Sequence, residues 1–361
     1  MTSAEHDLEV ARDVELARWT TLELGGPADH FFEGRAEEDV TRAVAWARAR
    51  GLPLVVLGGG SNLIVADGGF RGVVLKMATR GLRFEGDGTV VAAAGEPWDA
   101  FVDAAIARGL AGVECLAGIP GLVGATPIQN VGAYGQEVAE TIREVRVLER
   151  ASGGILTLPA RACGFGYRDS VFRRQPSAYV VLAVTFALRP GGAPALRYRE
   201  LQDALSGQPT PSVAQVAATV RALRRGKSML LDAGDPNRRS VGSFFTNAVL
   251  DAADFAAFAA RAVAAGVVTA VDQVPRFATE DGRFKVPAAW LIERAGFPKG
   301  LRRGPVGISS AHALALVHFG GGSTTQLLAL ADEIRAGVAA RFGVTLSREP
   351  VLLDAHGLDA A

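Results

Sequence analysis

The chain has 361 residues, enough for two or three domains and a sizeable core. Its 38 acidic and 38 basic residues give a formal net charge of zero at pH 7 and are spread along the sequence. Because there is no basic arm or stripe, nucleic acid is not expected as a partner. No apolar run approaches the ~20 residues that span a bilayer, and the polar, acidic N-terminus argues against a signal peptide. We therefore expect a cytoplasmic protein that does not associate with membranes.

Cysteine and histidine positions predict neither a disulfide nor a metal site. Cys115 lies in an apolar segment and Cys163 is the only other cysteine, so two buried, reduced thiols are expected. The five histidines are scattered and lack the spacing of metal ligands. No resident metal is therefore expected.

Periodicity and turn residues predict a mixture of helices and strands. In chain order the predicted elements are a helix over 37–50, strands over 54–57 and 63–65, short strands over 69–95, a helix over 97–108, strands over 141–148 and 178–186, helices over 212–226, 251–264, 288–295 and 324–341, and a strand over 344–353. Strands dominate the first half, which predicts an α+β fold in about three domains with boundaries near 78 and 225.

The first functional candidate is the turn over 58–62, where three glycines, a serine and an asparagine separate two apolar segments. Successive unhindered N–H groups in such a turn form a concave site for a phosphate or pyrophosphate. Two familiar nucleotide-binding patterns do not fit. Leu63 stands where the dinucleotide fingerprint needs its third glycine, and Arg221 stands where a Walker loop ending at 226–228 needs its first.

The second candidate is the segment 118–137, which has glycines at 118, 121, 124, 132 and 135. Glycines this dense are unfavourable in a helix or strand, at roughly 0.5–1 kcal/mol each relative to alanine. Such a segment is typical of a place where backbone groups approach a ligand closely, and Gln129, Asn130 and Tyr134 could contact a ring edge. A long structural loop is the alternative.

Three isolated residues also have both a functional and a structural interpretation. Arg168 could bind a carboxylate in a bidentate manner or form a surface ion pair. Ser243, between a glycine and two phenylalanines, could be a shielded hydroxyl group or a hydrogen-bonded strand end. Glu349 lies near the end of the last predicted strand, just before an apolar run, where a solvated carboxylate is the more common finding.

Five segments in chain order closely resemble the UDP-N-acetylenolpyruvoylglucosamine reductase (MurB) family, and Tyr198 resembles the tyrosine that closes over the nucleotide in its first subclass. The segments cover residues 57–62, 118–135, 165–170, 242–245 and 349–350. The resemblance extends from about Thr21 to Leu353, and the order and spacing of the segments make it specific.

The resemblance implies a two-lobed FAD-binding fold of the vanillyl-alcohol-oxidase/PCMH type, followed by a C-terminal α/β substrate-binding domain. The implied domains are an FAD-binding subdomain over 1–78, joined by the C-terminal strand 345–361, a second FAD-binding subdomain over 79–225, and a UDP-sugar domain over 226–344. It also implies a monomer that acts on small molecules.

The resemblance further implies non-covalent FAD, with NADPH as co-substrate. No histidine in the glycine-rich segments offers a covalent attachment site. The residues implied to contact the pyrophosphate are Gly58, Gly59, Gly60, Ser61 and Asn62. Those implied to line the flavin and its ribityl chain are Gly118, Ile119, Pro120, Gly121, Gly124, Gln129, Asn130, Gly132, Ala133, Tyr134 and Gly135.

The implied reaction reduces the enolpyruvyl ether of UDP-N-acetylglucosamine to the lactyl ether of UDP-N-acetylmuramate in peptidoglycan precursor synthesis. By resemblance, Arg168 holds the substrate carboxylate, Ser243 donates a proton and Glu349 stabilises the enolate. The residues implied to bind the UDP-sugar are Tyr198, Lys227, Asn247 and Lys285.

Two other functions remain open at this point. One is another flavoenzyme of the same fold, such as an aldonolactone-type oxidase, which would leave Ser243 and Glu349 unexplained. The other is a non-catalytic nucleotide-binding regulator that has kept the fold. Turnover of the enolpyruvyl substrate distinguishes both from the reductase.

Overall fold

The chain begins with a small, mostly parallel sheet that carries the glycine turn at one edge. We describe it from a computed structural model covering residues 9–208, 210–279 and 281–359. Its elements are β1 (Ala11–Glu15), β2 (Pro27–Gly34), α1 (Glu37–Ala49), β3 (Leu54–Leu57), β4 (Leu63–Val65) and β5 (Phe70–Met77). The strand order is β1-β2-β5-β3, with β2 and β3 parallel to β5. The glycine turn leaves the edge strand β3, where no neighbouring strand blocks access to it.

A second, antiparallel sheet occupies the middle of the chain. Its region contains β6 (Leu82–Phe84), β7 (Thr89–Ala93), α2 (Trp98–Ile106), β8 (Leu110–Ala111), β9 (Gly132–Ala133), β10 (Gln136–Glu137), β11 (Ile142–Glu149), β12 (Ile155–Pro159), α3 (Val171–Arg174), β13 (Tyr179–Ala187), β14 (Arg189–Pro190), α4 (Arg199–Ala204) and α5 (Val213–Gly226). The strand order is β12-β11-β13-β7-β6. Helix α2 buries Trp98, Phe101 and Val102 in the large core shared with this sheet.

The last third of the chain forms a separate apolar core around a four-stranded sheet. Its elements are β15 (Ser240–Ser243), β16 (Ala248–Leu250), α6 (Ala252–Ala264), β17 (Phe277–Ala278), β18 (Phe284–Val286), α7 (Ala288–Arg294), β19 (Arg302–Arg303), β20 (Val306–Ile308), β21 (Ala315–His318), α8 (Thr324–Phe342), β22 (Val351–Leu353) and β23 (Leu358–Asp359). The sheet order is β15-β21-β20-β19. Phe258, Leu291 and Phe342 are among its buried side chains.

The α+β mixture predicted from the sequence is confirmed, and each of the long helices begins and ends within one or two residues of its prediction. The predicted length of the final strand was wrong. It was expected over 344–353, but only Val351–Leu353 is a strand. Pro350 has no N–H to donate to a ladder, and residues 347–349 instead pair irregularly with the segment after β15.

The C-terminal end returns to the first sheet region, because β22 pairs in parallel with β4. This is the contact expected if the C-terminal strand joins the first subdomain. The domain boundaries themselves stay a prediction, and residues 1–8 and 360–361 of the first predicted domain lie outside the described residues. In the described ranges, none of the helices is both long and apolar enough to cross a bilayer.

Both cysteines are buried thiols, as predicted. Burial raises the pKa of Cys115 to about 12 and that of Cys163 to about 11. Because the thiolate is the reactive form, neither residue is suited to nucleophilic chemistry.

Asp67 links the first sheet region to the N-terminus of α8. Its carboxylate accepts hydrogen bonds from the backbone N–H groups of Thr324 (2.7 Å) and Thr325 (2.9 Å) and from the Thr325 hydroxyl (2.6 Å). The Thr324 hydroxyl donates to the Val65 carbonyl at 2.6 Å. A carboxylate at this end of a helix satisfies free N–H groups and interacts favourably with the helix dipole. Partial burial raises the pKa of Asp67, but the hydrogen bonds from both threonines outweigh this and the pKa is lowered.

Replacing Asp67 by asparagine is expected to lower the free energy of unfolding by about 1 kcal/mol at neutral pH. The folded-state pKa is depressed, so this stabilisation is complete above the unfolded value of about 3.9 and is lost as the pH falls through the folded value. Urea unfolding of both proteins at pH 7 and at acid pH measures this. Asp332→Asn, which breaks an exposed pair with Arg335 on α8, should change stability by less than about 0.5 kcal/mol. Equal effects of the two substitutions would contradict the capping role.

Candidate active site

A cleft of about 510 Å3 lies between the glycine turn, the glycine-rich segment and the C-terminal third of the chain. Most of the residues predicted for cofactor, substrate and catalysis line it. They are Gly58, Gly59, Gly60, Ser61, Asn62, Ile119, Pro120, Gly121, Gln129, Gly132, Ala133, Tyr134, Arg168, Tyr198, Lys227, Ser243 and Glu349. Segments far apart in sequence therefore converge on one cavity.

The glycine turn follows β3 and packs directly against the second glycine-rich segment. A Cβ atom on Gly59 would lie 2.7 Å from the Gly121 Cα, and one on Gly60, whose φ is +66°, would lie 2.0 Å from the Trp19 carbonyl oxygen. Neither position has room for a side chain. The two backbones form a bare wall of the cleft, which suits close approach by a phosphate group.

Hydrogen bonds join these two segments. The Asn62 side-chain amide donates to Gln129 Oε1 at 2.9 Å, and the Ser61 hydroxyl donates to the Pro120 carbonyl at 3.3 Å. The Lys76 ammonium donates to the Gly58 carbonyl. The sequence did not identify Lys76 as a residue of the site, although it is one of only four lysines in an arginine-rich chain. Burial, followed by the nearby Arg80 charge, lowers its pKa.

Four predicted cofactor residues do not line the cleft. Gly124 packs against Ala94, where a Cβ atom would approach the alanine Cβ to 2.5 Å, and Gly135 lies against Arg197. Gly118 donates its N–H to Asp99 at 2.6 Å. The Asn130 side chain forms hydrogen bonds with Glu137, Gly166 and Ala139. These positions shape the segment, and a direct cofactor contact at each stays a prediction.

Asn130 is 2% exposed and bonds both to its own loop and to the segment around Gly166. Its amide nitrogen donates to Glu137 Oε2 at 2.7 Å and to the Gly166 carbonyl at 3.0 Å, and its Oδ1 accepts from the Ala139 N–H at 3.1 Å. Its φ is +45°, and Tyr134, Arg168 and Ser228 also have positive φ. Such strained non-glycine residues often cluster at functional sites, and three of these four line the cleft.

Arg168 and Glu349 form an ion pair across the cleft. Arg168 Nε donates to Glu349 Oε1 at 3.0 Å and an Nη donates to the Gly132 carbonyl at 2.8 Å. The side chains are only 21% and 13% exposed, so this is not the surface pair that the sequence left open. Burial raises the pKa of Glu349 above its usual value, while the charge and hydrogen bond of Arg168 oppose the rise.

Backbone pairing brings Ser243 to the same place as Glu349. The Glu349 N–H donates to the Phe244 carbonyl at 3.0 Å, and the Thr246 N–H donates to the Ser347 carbonyl at 3.0 Å. Phe244 and Phe245 are both buried. The Ser243 hydroxyl lines the cleft and makes no hydrogen bond to any residue in the described ranges, which leaves it available to a ligand.

Aromatic and cationic side chains form one rim of the cleft. The rings of Tyr134 and Tyr198 meet edge to face with centroids 5.5 Å apart, and Lys227 Nζ lies 5.6 Å from the Tyr134 centroid. Lys227 also pairs with Glu200, at the start of α4. Burial raises the pKa of Tyr134 to about 12, so its hydroxyl stays protonated.

Two predicted substrate residues lie outside the lining of the cleft. The Asn247 Oδ1 accepts a hydrogen bond from the Ala288 N–H at 3.0 Å, in the first turn of α7. Lys285 Nζ lies 4.4 Å from the ring centroid of Tyr167, which is itself 5.3 Å from the Arg168 guanidinium carbon. Lys285 is therefore connected to the site through an aromatic ring, and substrate contacts by both residues stay predictions.

Several residues that line the cleft were not recognised as site residues from the sequence. Arg173, Arg224 and Arg238 line the cleft but cannot be distinguished by sequence in a chain so rich in arginine. His312 also lines it. Burial, followed by the charges of Lys227 and Lys299, lowers its pKa to about 4, and its Nδ1 accepts from the Leu314 N–H at 3.0 Å. The ring is therefore neutral, with its hydrogen on Nε2.

The fold and the glycine-lined cleft define an FAD-binding protein of the α+β class. Residues 28–159 match a family model described as FAD binding domain, and residues 235–353 match one described as the C-terminal domain of UDP-N-acetylenolpyruvoylglucosamine reductase. The predicted FAD-binding fold is confirmed.

Relatives along the whole chain identify the family. The chain is 51% identical over 350 residues to the UDP-N-acetylenolpyruvoylglucosamine reductase of Saccharopolyspora erythraea, covering 94% of each chain. It is 50% identical over 351 residues to that of Thermobifida fusca, covering 95% of this chain and 98% of the relative. The crystal structure of the MurB reductase from Thermus caldophilus superposes with a TM-score of 0.66 at 25% identity, covering 96% and 99%. The chain belongs to the UDP-N-acetylenolpyruvoylglucosamine reductase family.

Gly59→Ala is expected to weaken FAD binding by roughly tenfold or more, because the added methyl group forces the two glycine segments apart. The FAD content of the purified protein and an FAD titration measure this. Gly86→Ala is the matched control, since a Cβ atom there meets nothing within 4 Å. Undiminished FAD affinity in Gly59→Ala would contradict the close-packed wall described above.

Proposed function

We propose that the protein uses non-covalently bound FAD and NADPH to reduce the enolpyruvyl ether of UDP-N-acetylglucosamine to UDP-N-acetylmuramate. The observation that carries the proposal is the convergence of Arg168, Ser243 and Glu349 on the cleft that contains the glycine turn. Family membership supports the same reaction. The role would be a cytoplasmic step in peptidoglycan precursor synthesis.

The bare turn at 58–62 fits the pyrophosphate of FAD, and the wall at Gly59 and Gly121 fits a flat ring system that needs close backbone contact. When bound, FAD supplies the hydride that it has accepted from NADPH. The protein contributes the binding groups, the orientation of the substrate and the proton.

The charges in the cleft match the anions that the reaction brings there. Its lining includes three arginines besides Arg168, together with Lys227, and Glu349 is the only carboxylate among the lining residues that the structure describes. The anionic groups of the proposed ligands are the FAD pyrophosphate, the UDP diphosphate and the enolpyruvyl carboxylate. A cationic, partly desolvated cleft binds these groups more strongly than an exposed surface would.

Arg168 is suited to hold the substrate carboxylate. Its Nε donates to Glu349 and one Nη donates to Gly132, and the other Nη makes no hydrogen bond in the described parts of the chain. Hydride addition to the methylene carbon places negative charge on the adjacent carbon, delocalised into this carboxylate. A fixed guanidinium stabilises that charge as it develops.

Glu349 is proposed to donate a hydrogen bond to the enolate, and Ser243 is proposed to donate the proton. A raised pKa favours the protonated carboxyl group, whose O–H can donate to the developing enolate while Oε1 accepts from Arg168. The Ser243 hydroxyl then gives its proton to the adjacent carbon, which forms the C–H bond and leaves an alkoxide that solvent reprotonates. An alcohol is a weak acid in water, but a desolvated carbanion is a strong enough base to remove its proton.

The rim formed by Tyr134, Tyr198 and Lys227 is the proposed position of the nucleotide part of the substrate. An ammonium group and two aromatic rings offer a charge for the diphosphate and surfaces for uracil or sugar. Asn247 and Lys285 are also proposed to bind the substrate, Asn247 beside the start of α7 and Lys285 beside Tyr167.

Ser243→Ala tests the assignment most directly. The rate at which the enolpyruvyl UDP-sugar reoxidises the reduced flavin should fall by roughly 10²–10⁴-fold, the usual contribution of general acid catalysis. Reduction by NADPH should persist, since it needs no proton from this residue. Anaerobic stopped-flow absorbance separates the two half-reactions.

Ser152→Ala, in an exposed turn, is the control and should leave both rates unchanged. Parallel loss of both half-reactions in Ser243→Ala, or an unchanged reoxidation rate, would contradict the proton-donor role.

A further inference from the structure

Three side chains near the cationic rim form a polar cluster, which we call the Asn237 clamp: the buried Asn237 and Ser228 and the exposed Ser310. The Asn237 amide nitrogen lies 3.2 Å from Ser228 Oγ and 3.1 Å from Ser310 Oγ, and its Oδ1 accepts from the Ser310 N–H at 3.1 Å. Asn237 is 5% exposed and Ser228 is 8% exposed. Because Asn237 and Ser228 are nearly removed from water, the hydrogen bond between them constrains the geometry of both side chains.

Ser228 holds a conformation that normally favours glycine. It follows Lys227, the C-cap of α5, and has φ of +54°. Helices very commonly end on glycine in this left-handed region, and a serine there is strained by roughly 1 kcal/mol. The hydroxyl that glycine would lack is the group that Asn237 binds. The left-handed backbone itself belongs to the end of α5, where the Ser228 N–H donates to the Arg225 carbonyl (3.0 Å) and the Met229 N–H to the Arg224 carbonyl (2.9 Å). The clamp gives a reason for serine in place of glycine at this position.

The clamp joins two segments of the cleft. On one side Ser228 directly follows Lys227 at the end of α5. On the other side Ser310 lies in a tight turn, in which the Ser309 hydroxyl accepts from the N–H groups of Ala311 (3.1 Å) and His312 (3.3 Å). Lys227 and His312 both line the cleft. The Asn237 side chain thus links the segment that contains Lys227 to the turn that contains His312.

We propose that Asn237 is a positioning residue for the nucleotide: through Ser228 and Ser310 it fixes the Lys227 backbone relative to the His312 turn, so that both meet the substrate diphosphate. This inference rests on the proposed function and adds to it the residue that sets the geometry of the anion site. A lysine side chain is long and flexible and loses conformational entropy when it binds a phosphate. If the helix end that carries the lysine is already fixed, less entropy is lost on binding. The ion pair with Glu200 is half exposed and is too weak to supply that order alone.

The test uses the holoenzyme and two single variants, Asn237→Ala and Ser228→Gly, together with their double variant. Both single variants should weaken UDP binding and raise KM for the enolpyruvyl UDP-sugar by about tenfold, with kcat within twofold and FAD content unchanged. Lys227→Ala provides the reference for loss of the charge itself. Calorimetric titration with UDP and steady-state kinetics measure these effects.

Ser228→Gly separates positioning from stability. It keeps the left-handed backbone and removes the strain, so its melting temperature should equal or exceed that of the unmodified protein. Weaker UDP binding in a protein of undiminished stability is not expected of a residue with a purely structural role. The double variant should bind UDP about as weakly as either single variant, because both substitutions break the same hydrogen bond.

Unchanged UDP affinity in Ser228→Gly, or losses that add fully in the double variant, would overturn the inference. The proposed function fails by a different result: an unmodified protein that binds UDP but does not turn over the enolpyruvyl UDP-sugar. The UDP titration assesses the clamp without turnover, so the two failures are distinguishable.

Discussion

The site depends on one buried electrostatic pair, Arg168 and Glu349. Desolvation favours the neutral carboxyl group, whereas the adjacent guanidinium favours the carboxylate, and the balance leaves the pKa of Glu349 above its usual value. Moving either group toward water would remove this balance, because both effects weaken where the dielectric is high. The surrounding structure therefore has to hold two charged side chains at low exposure in a defined geometry.

The return of the C-terminal segment provides that geometry. After α8 the chain runs beside the segment that follows Ser243, places Glu349 opposite Phe244, and then pairs as β22 with β4. The Val351 N–H donates to the Asn62 carbonyl at 3.0 Å, at the end of the glycine turn. A few residues near the C-terminus thus connect the proton donor, the carboxyl group and the proposed pyrophosphate turn. Asp67 attaches the start of α8, the helix that precedes this segment, to the first sheet region.

Much of this arrangement follows from sequence patterns that act locally. Helices were predictable from periodic apolar residues and their caps, and the glycine turn from three consecutive glycines between two apolar segments. The pairing of Arg168 with Glu349 was not predictable from the residues alone, because 181 positions separate them and their closeness depends on tertiary packing. The same holds for Asn237, which the sequence presents as an ordinary turn residue.

The errors have physical causes as well. The final strand was predicted too long because Val344 and Leu346 are buried without belonging to a ladder, and Pro350 interrupts pairing before β22. The cofactor contact of Asn130 stays a prediction, and its side chain bonds to the Gly166 carbonyl and the Ala139 N–H. Arginine is too common in this chain for the sequence to identify the arginines of the cleft. Lysine is rare, which helped to identify Lys227 and could also have identified Lys76.

An anaerobic absorption spectrum of the purified protein, recorded before and after NADPH and again after the enolpyruvyl UDP-sugar, tests the central claim most directly. The account predicts a yellow protein that NADPH bleaches and that the UDP-sugar restores to its oxidised spectrum. A protein that cannot be reconstituted with FAD would contradict the assignment of both glycine-rich segments. A flavin that is reoxidised by oxygen but not by the UDP-sugar would contradict the proposed reaction and favour an oxidase.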